Sequence, residues 1–338
     1  MSQKMRIPLA VALCLFLTSC TMPHIPKATM KPIEKPRKSF KYSVQGPWNI
    51  GDPVHETLTL LSIRIAIEQH KSTGNLFAGV ALSKLPTWDS KTAHAMTASG
   101  ADKSLHQFLR GVIWPDDPEG LFFNNRKDVY NFSTGFTWHA AFKKDPSNPK
   151  NITARTHFGD LQYFHSMSPG VSLSRREVRK KMLQWAGFLL DVSAGRTKPS
   201  ESLSEIASVA ELFPNRSTVS DLFVADPLSA DIDVRHRAVG ALLHMVQDSY
   251  SQGHAKRSVQ GGIVSFHCYS DPDHDRSEHA LHDKWGPGAT LTERIRNTPG
   301  ASTAVRKSSA LLVLINGGKS KAEIMRFLET EVLNLASE

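Results

Sequence analysis

The chain has 338 residues, with 41 Lys or Arg against 32 Asp or Glu and a formal net charge of +9. A 40% share of apolar residues excludes a chain too polar to bury a core, and the presence of only 3 cysteines excludes a disulfide-stapled scaffold. The positive charge draws such a chain to anionic surfaces, phospholipid or nucleic acid, without separating the two.

Lys4 and Arg6 precede an apolar run from Ile7 to Leu17, and the run ends in Leu17-Thr18-Ser19-Cys20. It is too short to cross a bilayer and has the layout of a signal peptide over residues 1–20. Its last four residues resemble a bacterial lipobox, which implies cleavage before Cys20, a diacylglyceryl group on that cysteine and, with Thr21 following it, sorting to the outer membrane. An ordinary secretory signal is the alternative, and either one exports the protein. Cys14 leaves with the signal, so Cys268 would be the one remaining thiol, placed for packing or, beside His267, for metal binding. Residues 21–47 carry Pro23, Pro26, Pro32, Pro36 and Pro47 among Lys27, Lys31, Lys35, Arg37, Lys38 and Lys41. That composition predicts an extended, disordered, basic linker, and cleavage within it would release the protein. Residues 48–338 are expected to form one domain.

Within that domain the apolar spacing is helical nearly everywhere. Asp52-Pro53 reads as a helix start, followed by Leu58, Leu61 and Ile65 in the segment from His55 to Gln69. Val178, Met182, Trp185 and Leu189 predict a helix over Ser174 to Ser193, ending at Gly195. Val239, Leu242, Leu243 and Val246 predict another over Arg235 to Gln252, and Ser320 with Glu323 reads as a capping box opening a last helix that runs to Leu335. Gly262 to Tyr269 is the best strand candidate. Segments 111–160 and 253–300, rich in Gly, Pro, Asn, Asp and aromatics, read as long ordered loops of the kind that carry function or are tied down by metal.

The chemistry concentrates where Leu243-His244-Met245-Val246-Gln247-Asp248 leads through Gly253 to His254. The spacing of His244 and Asp248 is about 1.1 helical turns, so both side chains project from one face. A glycine before His254 lets the chain turn back toward the same place. His279 and Asp283 repeat the His-x-x-x-Asp spacing. Imidazole nitrogens and carboxylate oxygens so grouped are the donors that zinc takes. A single pair would more often be a helix-face hydrogen bond, but two pairs flanking a third His are harder to read that way.

Further along the same order stand Trp48 and His55, Trp114-Pro115-Asp116-Asp117-Pro118, Thr156-His157-Phe158-Gly159-Asp160 and Phe164-His165. This succession resembles the zinc-dependent phospholipase C and single-strand-specific nuclease superfamily, and more closely the bacterial zinc metallophospholipases C. The resemblance extends from Trp48 to about Asp283, and the His244–His254 motif is its specific part. It implies a mainly α fold, a single multi-helix domain with long loops around three zinc ions. One ion would take Asp116, His165, His244 and Asp248, and a second His254, His279 and Asp283. The third would take His55, the other oxygen of Asp248 and the backbone of Trp48. A hydroxide bridging two of the ions would be the nucleophile, with Asp116 orienting or deprotonating the attacking water.

The chain departs from the family at three points. A lipobox and linker precede Trp48, whose free amine is a ligand in the family, so either a second cleavage exposes it or the third ion binds more weakly. His279/Asp283 follows the nuclease pattern rather than the phospholipase His-x-x-x-Glu, which His274 and Glu278 would supply in another register. Gln247 stands where the family has a small residue. His157 is the alternative to His165, with a role behind the ligands as its other reading, and Asp117 is the alternative to Asp116. His267 and His282 fit packing or surface roles better than ligation.

The function so implied is a zinc phosphodiesterase held at a membrane and hydrolysing phospholipid headgroups, a phospholipase C whose partners are its phospholipid substrate and the membrane surface. One rival is a zinc nuclease stacking bases on Phe122, Phe123, Tyr130, Phe132 and Trp138. The other is a non-enzymatic zinc-binding lipoprotein.

Overall fold

The computed structural model describes residues 54–69, 76–77, 80, 103–121, 123–124, 129–130, 140–223, 233–271 and 284–337, all within one contiguous unit, Lys35–Glu338. The chain is mainly helical. Among the described residues the α-helices are α1 (Val54–Gln69), α2 (Lys103–Ile113), α3 (Ile152–Phe158), α4 (Arg175–Ser193), α5 (Val219–Phe223), α6 (Val234–Asp248), α7 (Leu291–Asn297), α8 (Ala301–Asn316) and α9 (Lys321–Phe327). Two short antiparallel hairpins join them among the described residues: β1 (Phe123–Asn124) with β2 (Val129–Tyr130), and β3 (Ala255–Arg257) with β4 (Ile263–Phe266). None of the described helices is long and apolar enough to cross a membrane.

Helix α6 is the axis of the fold. Asp233 caps it by accepting from the amides of Arg235 and His236, and thirteen of its residues are buried. Such burial exceeds one apolar stripe, because α2, α4, α8 and α1 all pack on it. The contact with α2 is the closest. A Cβ on Gly111 would lie 2.2 Å from the Arg237 carbonyl oxygen, and one on Gly240 would lie 2.3 Å from that of Phe108. Only two glycines let the backbones approach so far. Beyond the end of α2, Trp114 stacks with Trp185 of α4 at 5.6 Å, and Phe164 stacks with the same indole at 4.2 Å. The Trp114 indole N–H donates to the Leu222 carbonyl at 2.7 Å. This aromatic wedge sets the direction in which the chain leaves α2.

Helix starts at Ser174 and Ser320 fall where the sequence places them, whereas the start at Thr290 lies in a segment read as loop. Ser174/Glu177, Thr290/Glu293 and Ser320/Glu323 each form a reciprocal capping box. Gly195, at φ +73°, follows the end of α4. Other boundaries differ from expectation. Helix α6 stops at Asp248, not Gln252, because Ser249, Ser251 and Gly253 favour turns, and tight turns carry the chain to His254. The last helix shortens to α9 and a π-helical turn, Leu328–Val332, after which Ile263 and Asn334–Ala336 exchange backbone hydrogen bonds. The segments read as long loops contain α3 and α7, short helices with few apolar residues to show a period, and the first also holds the end of α2, whose Leu105, Phe108, Leu109, Val112 and Ile113 are regularly spaced and buried. The strand expected in residues 262–269 is β4, confined to Ile263–Phe266.

The α2–α6 contact makes a testable demand. Gly240→Ala gains about 1 kcal/mol of helix propensity but forces a methyl into the Phe108 carbonyl, an overlap costing ~3 kcal/mol. Its denaturant midpoint is therefore expected to fall by the equivalent of about 2 kcal/mol. An unchanged or raised midpoint would mean that the two backbones do not meet there.

Candidate metal centre

Asp248, the last residue of α6, lies at 0% exposure with imidazoles on several sides. His55 Nε2 is 3.1 Å from Asp248 Oδ1, and Oδ2 has His244 Nε2 at 2.9 Å, His165 Nδ1 at 3.1 Å and His254 Nδ1 at 3.4 Å. Each neighbour arrives from a different element. His55 opens α1, His244 sits one turn back on α6, and His165 ends the 3-10 turn Gln162–His165. His254 precedes β3. Asp116 stands just beyond α2, its oxygens 3.9 Å from His165 Nδ1 and 3.9 Å from His244 Nδ1.

The second nitrogen of each ring decides what the first can do. A carbonyl oxygen only accepts, so a ring nitrogen bonded to one must carry the proton. His244 Nδ1 lies 2.8 Å from the Val112 carbonyl, His165 Nε2 3.2 Å from that of Pro115, and His157 Nδ1 2.8 Å from that of Thr153. His55 Nδ1 faces Gln247 Oε1 at 2.7 Å, and the same amide's nitrogen donates to Thr59 Oγ1 at 2.9 Å, which fixes its orientation. In the neutral form the remaining nitrogens, His55 Nε2, His244 Nε2, His165 Nδ1 and His157 Nε2, all present lone pairs toward Asp248 or Asp116. His244 Nε2 and His165 Nδ1 are 2.9 Å apart. Lone pairs so crowded around carboxylates require a cation among them, either protons or a metal ion. Outer partners that fix ring orientation in this way are the usual support of metal-ligating histidines.

The electrostatics carry the same demand. Burial opposes ionisation of Asp248, but His254, His244 and His55 outweigh it and hold the carboxyl well below its usual range. Burial likewise opposes ionisation of Asp116, and His244, His157 and His165 overcome it. His165 goes the other way: burial and the neighbouring rings push it down to about 4. His55 is raised, since Asp248 and Asp116 outweigh its burial. Two sets of buried donors lie close enough to share an ion: His55, His244 and Asp248, and Asp116, His165 and His244. The centre could therefore hold a metal ion.

Of the residues expected at the site, the structure brings together His55, Asp116, His165, His244, Asp248 and His254. His157 stays one step out, its Nε2 3.7 Å from Asp116 Oδ1, while His165 occupies the inner position. Asp117 takes its side chain elsewhere, accepting from the Leu121 amide at 2.7 Å to close the turn after α2. Cys268 is buried and stands outside both donor sets. Trp48, Glu278, His279 and Asp283, with the lipidation site Cys20, lie outside the described residues, as do the segments 1–20 and 21–47.

Two other contributors, Ser166 and Glu56, were not singled out from the sequence. Ser166 adopts the left-handed region at φ 54° and donates its hydroxyl to the Met245 carbonyl at 2.6 Å, which pins the turn behind His165 to α6. Glu56, beside His55, is fully buried with neither carboxyl oxygen hydrogen-bonded, and burial raises its pKa to about 8. A charged residue in a fully buried helical stretch was the one available hint. Comparison with known proteins adds nothing to this geometry, since no family model, curated protein or solved structure matches the chain.

Asp248→Asn is expected to remove most bound metal, because an amide supplies no anionic oxygen. Gln247→Leu, which frees the His55 ring, is expected to weaken metal affinity about 10–100-fold. Elemental analysis and metal titration check both, and normal metal content in Asp248→Asn would defeat the centre.

Glu56 sets a pH dependence in the metal-free protein. An acid whose folded pKa is raised contributes stability below its unfolded pKa and loses it as pH rises toward about 8. Glu56→Gln should therefore raise the melting temperature more at pH 8 than at pH 5. An equal shift at both values would contradict a buried carboxyl there.

Proposed function

We propose that the protein is a zinc-dependent phosphodiesterase that hydrolyses phospholipid headgroups, a phospholipase C exported and held at a membrane through Cys20. Its helices would form the phospholipase C/nuclease type of domain. The observation that carries the reading is the set of imidazoles on four separate elements, each with one nitrogen engaged by an oxygen acceptor and the other turned toward Asp248 or Asp116. Nitrogen and carboxylate donors of this kind suit zinc.

Asp116, His165, His244 and Asp248 would hold one ion, and His55 and Asp248 another together with Trp48. His254 would serve a third with His279 and Asp283. Zinc supplies a Lewis acid that brings the pKa of water toward neutrality and offsets phosphate charge. The protein divides the remaining work by burial. Asp248 has no solvent contact and acts by position, keeping four rings in register. Asp116, held ionised at the edge of the cluster beside His157, can accept the proton of an attacking water and orient it. Backbone carbonyls of Val112, Pro115 and Thr153 keep the rings from turning as charge changes.

Any phosphodiester fits a multi-ion site, so selectivity has to come from where the enzyme is held. The lipobox and the basic stretch after it favour phospholipid over nucleic acid. The purified full-length protein, assayed on phosphatidylcholine vesicles and single-stranded DNA side by side, is expected to release diacylglycerol much faster than nucleotides. Chelation should abolish the activity and zinc restore it. Phosphatidic acid as the product would place the cleavage on the headgroup side instead. Mononucleotides without a lipid product would make it a nuclease, and bound zinc with neither product a non-catalytic lipoprotein.

A further inference from the structure

Helices α1, α7 and α8 leave between them a pocket of about 560 Å³, a size common for small-molecule sites. Ile65 of α1, Ile295 of α7, and Val305 and Ala310 of α8 supply its apolar wall. The helices that form it are tied to one another and to the core. The Ser62 hydroxyl reaches from α1 to the Val305 carbonyl of α8 at 3.2 Å. Between α7 and α8 stands Gly300 at φ +83°, where a side chain would collide with the Tyr250 carbonyl. The pocket is thus a consequence of how the three helices pack. Ile65 lies ten residues beyond His55 on α1, about 15 Å along the helix axis, and no residue of the metal centre lines the pocket.

Two cations share this pocket with the apolar wall, Arg296 of α7 and Arg306 of α8, and no carboxylate lines it. Neither guanidinium is ion-paired among the described residues. Glu293, the acid of α7, acts on Arg296 electrostatically, but its carboxylate accepts from the amides of Ala289 and Thr290 in the capping box. Arg306 acts on the Tyr250 phenol, whose pKa burial raises, so that ring carries no charge to answer it. A third polar group is also unsatisfied. The adjacent Ser308 and Ser309 hydroxyls are buried without hydrogen-bond partners, and Ser309, 2% exposed, lines the pocket. An acceptor oxygen inside the pocket is what such a donor lacks.

We propose that this pocket binds a small organic phosphate bearing a short alkyl chain, its dianionic head between Arg296 and Arg306 and its chain over Ile65, Ile295, Val305 and Ala310. Guanidinium groups pair bidentately with phosphate oxygens, and two of them match the two charges of a phosphate monoester. Inorganic phosphate would leave the apolar wall uncovered, and an uncharged apolar ligand would leave the guanidiniums unanswered. A nucleotide fits less well, because no aromatic side chain lines the pocket for a base to stack on. The site shares no residue with the metal centre, so it stands or falls apart from the phospholipase reading.

The purified full-length protein, with chelator present so that no ion draws phosphate to the metal centre, is titrated calorimetrically with monohexyl phosphate. Inorganic phosphate, hexanoate and hexanol are titrated separately. Monohexyl phosphate is expected to bind at one site, about tenfold or more tightly than each of the other three, since only it offers both the doubly charged head and the chain. Arg296→Gln/Arg306→Gln should weaken it about tenfold, and so should Ala310→Phe, which fills the pocket and leaves the charges in place. Arg179→Gln/Lys180→Gln, which removes as much charge from α4, should leave binding unchanged. Circular dichroism melting of every variant, expected unchanged, separates a lost site from a lost fold. Equal weakening by the α4 variant would reduce the effect to general attraction and overturn the proposal. So would inorganic phosphate or hexanol binding as tightly as monohexyl phosphate, or full binding by the Arg296→Gln/Arg306→Gln variant.

Discussion

A carboxylate sealed from water has to be compensated by whatever touches it, and the fold is organised around meeting that requirement at Asp248. Moving an ionised group into a protein interior costs several kcal/mol even after relaxation. Here the compensation comes from imidazoles contributed by the start of α1, the body of α6, the turn before α4 and the approach to β3. Removing any one element would leave the charge short of a partner. The demand also explains why α6 is buried all round: a helix that carries Asp248 at its end can be enclosed only if its other faces are packed by neighbours that deliver the rings.

Backbone geometry does much of the aiming. The rings of His244, His165 and His157 are oriented by main-chain carbonyls, and two of these, Val112 and Pro115, flank the end of α2. Helix α2 in turn is located by the glycine contact at Gly111 and Gly240. The chain of dependence thus runs from two residues without side chains, through a helix position, to the tautomer of a histidine. Asp116 belongs to the same lineage, since its amide bonds the Ile113 carbonyl at 3.0 Å and is carried wherever α2 points.

Helical class and the main helices were legible because their apolar spacing is regular: Val178, Met182, Trp185 and Leu189 repeat every three or four residues, and each is buried. Helix α3 was not, being about two turns with few apolar residues, whose reason for existing is tertiary. The pairing of His244 with Asp248 could be read from helix geometry alone. That His55 and His165 join them could be expected only from the resemblance, since no local rule brings together residues so far apart in sequence. Gln247 looked like a departure from a pattern, and its use appears only once Thr59 and His55 are seen on either side of it. Glu56, hidden in an apolar helix, offered charge in the wrong place and nothing about its surroundings.

His55 and Gln247 are separated by 192 positions along the chain. Closing so large a loop carries an entropic cost that grows slowly with length but must be met before the contact returns anything. Helix α1 emerges long before α6 in a chain that is made or threaded from its N-terminus, so its histidine waits without its partners. The donors reach ion-holding distance only after α2, α4 and α6 have assembled around them. A half-made chain therefore offers scattered weak sites in place of a centre. Capture of any ion at this centre would therefore be a late event, tied to completion of the core.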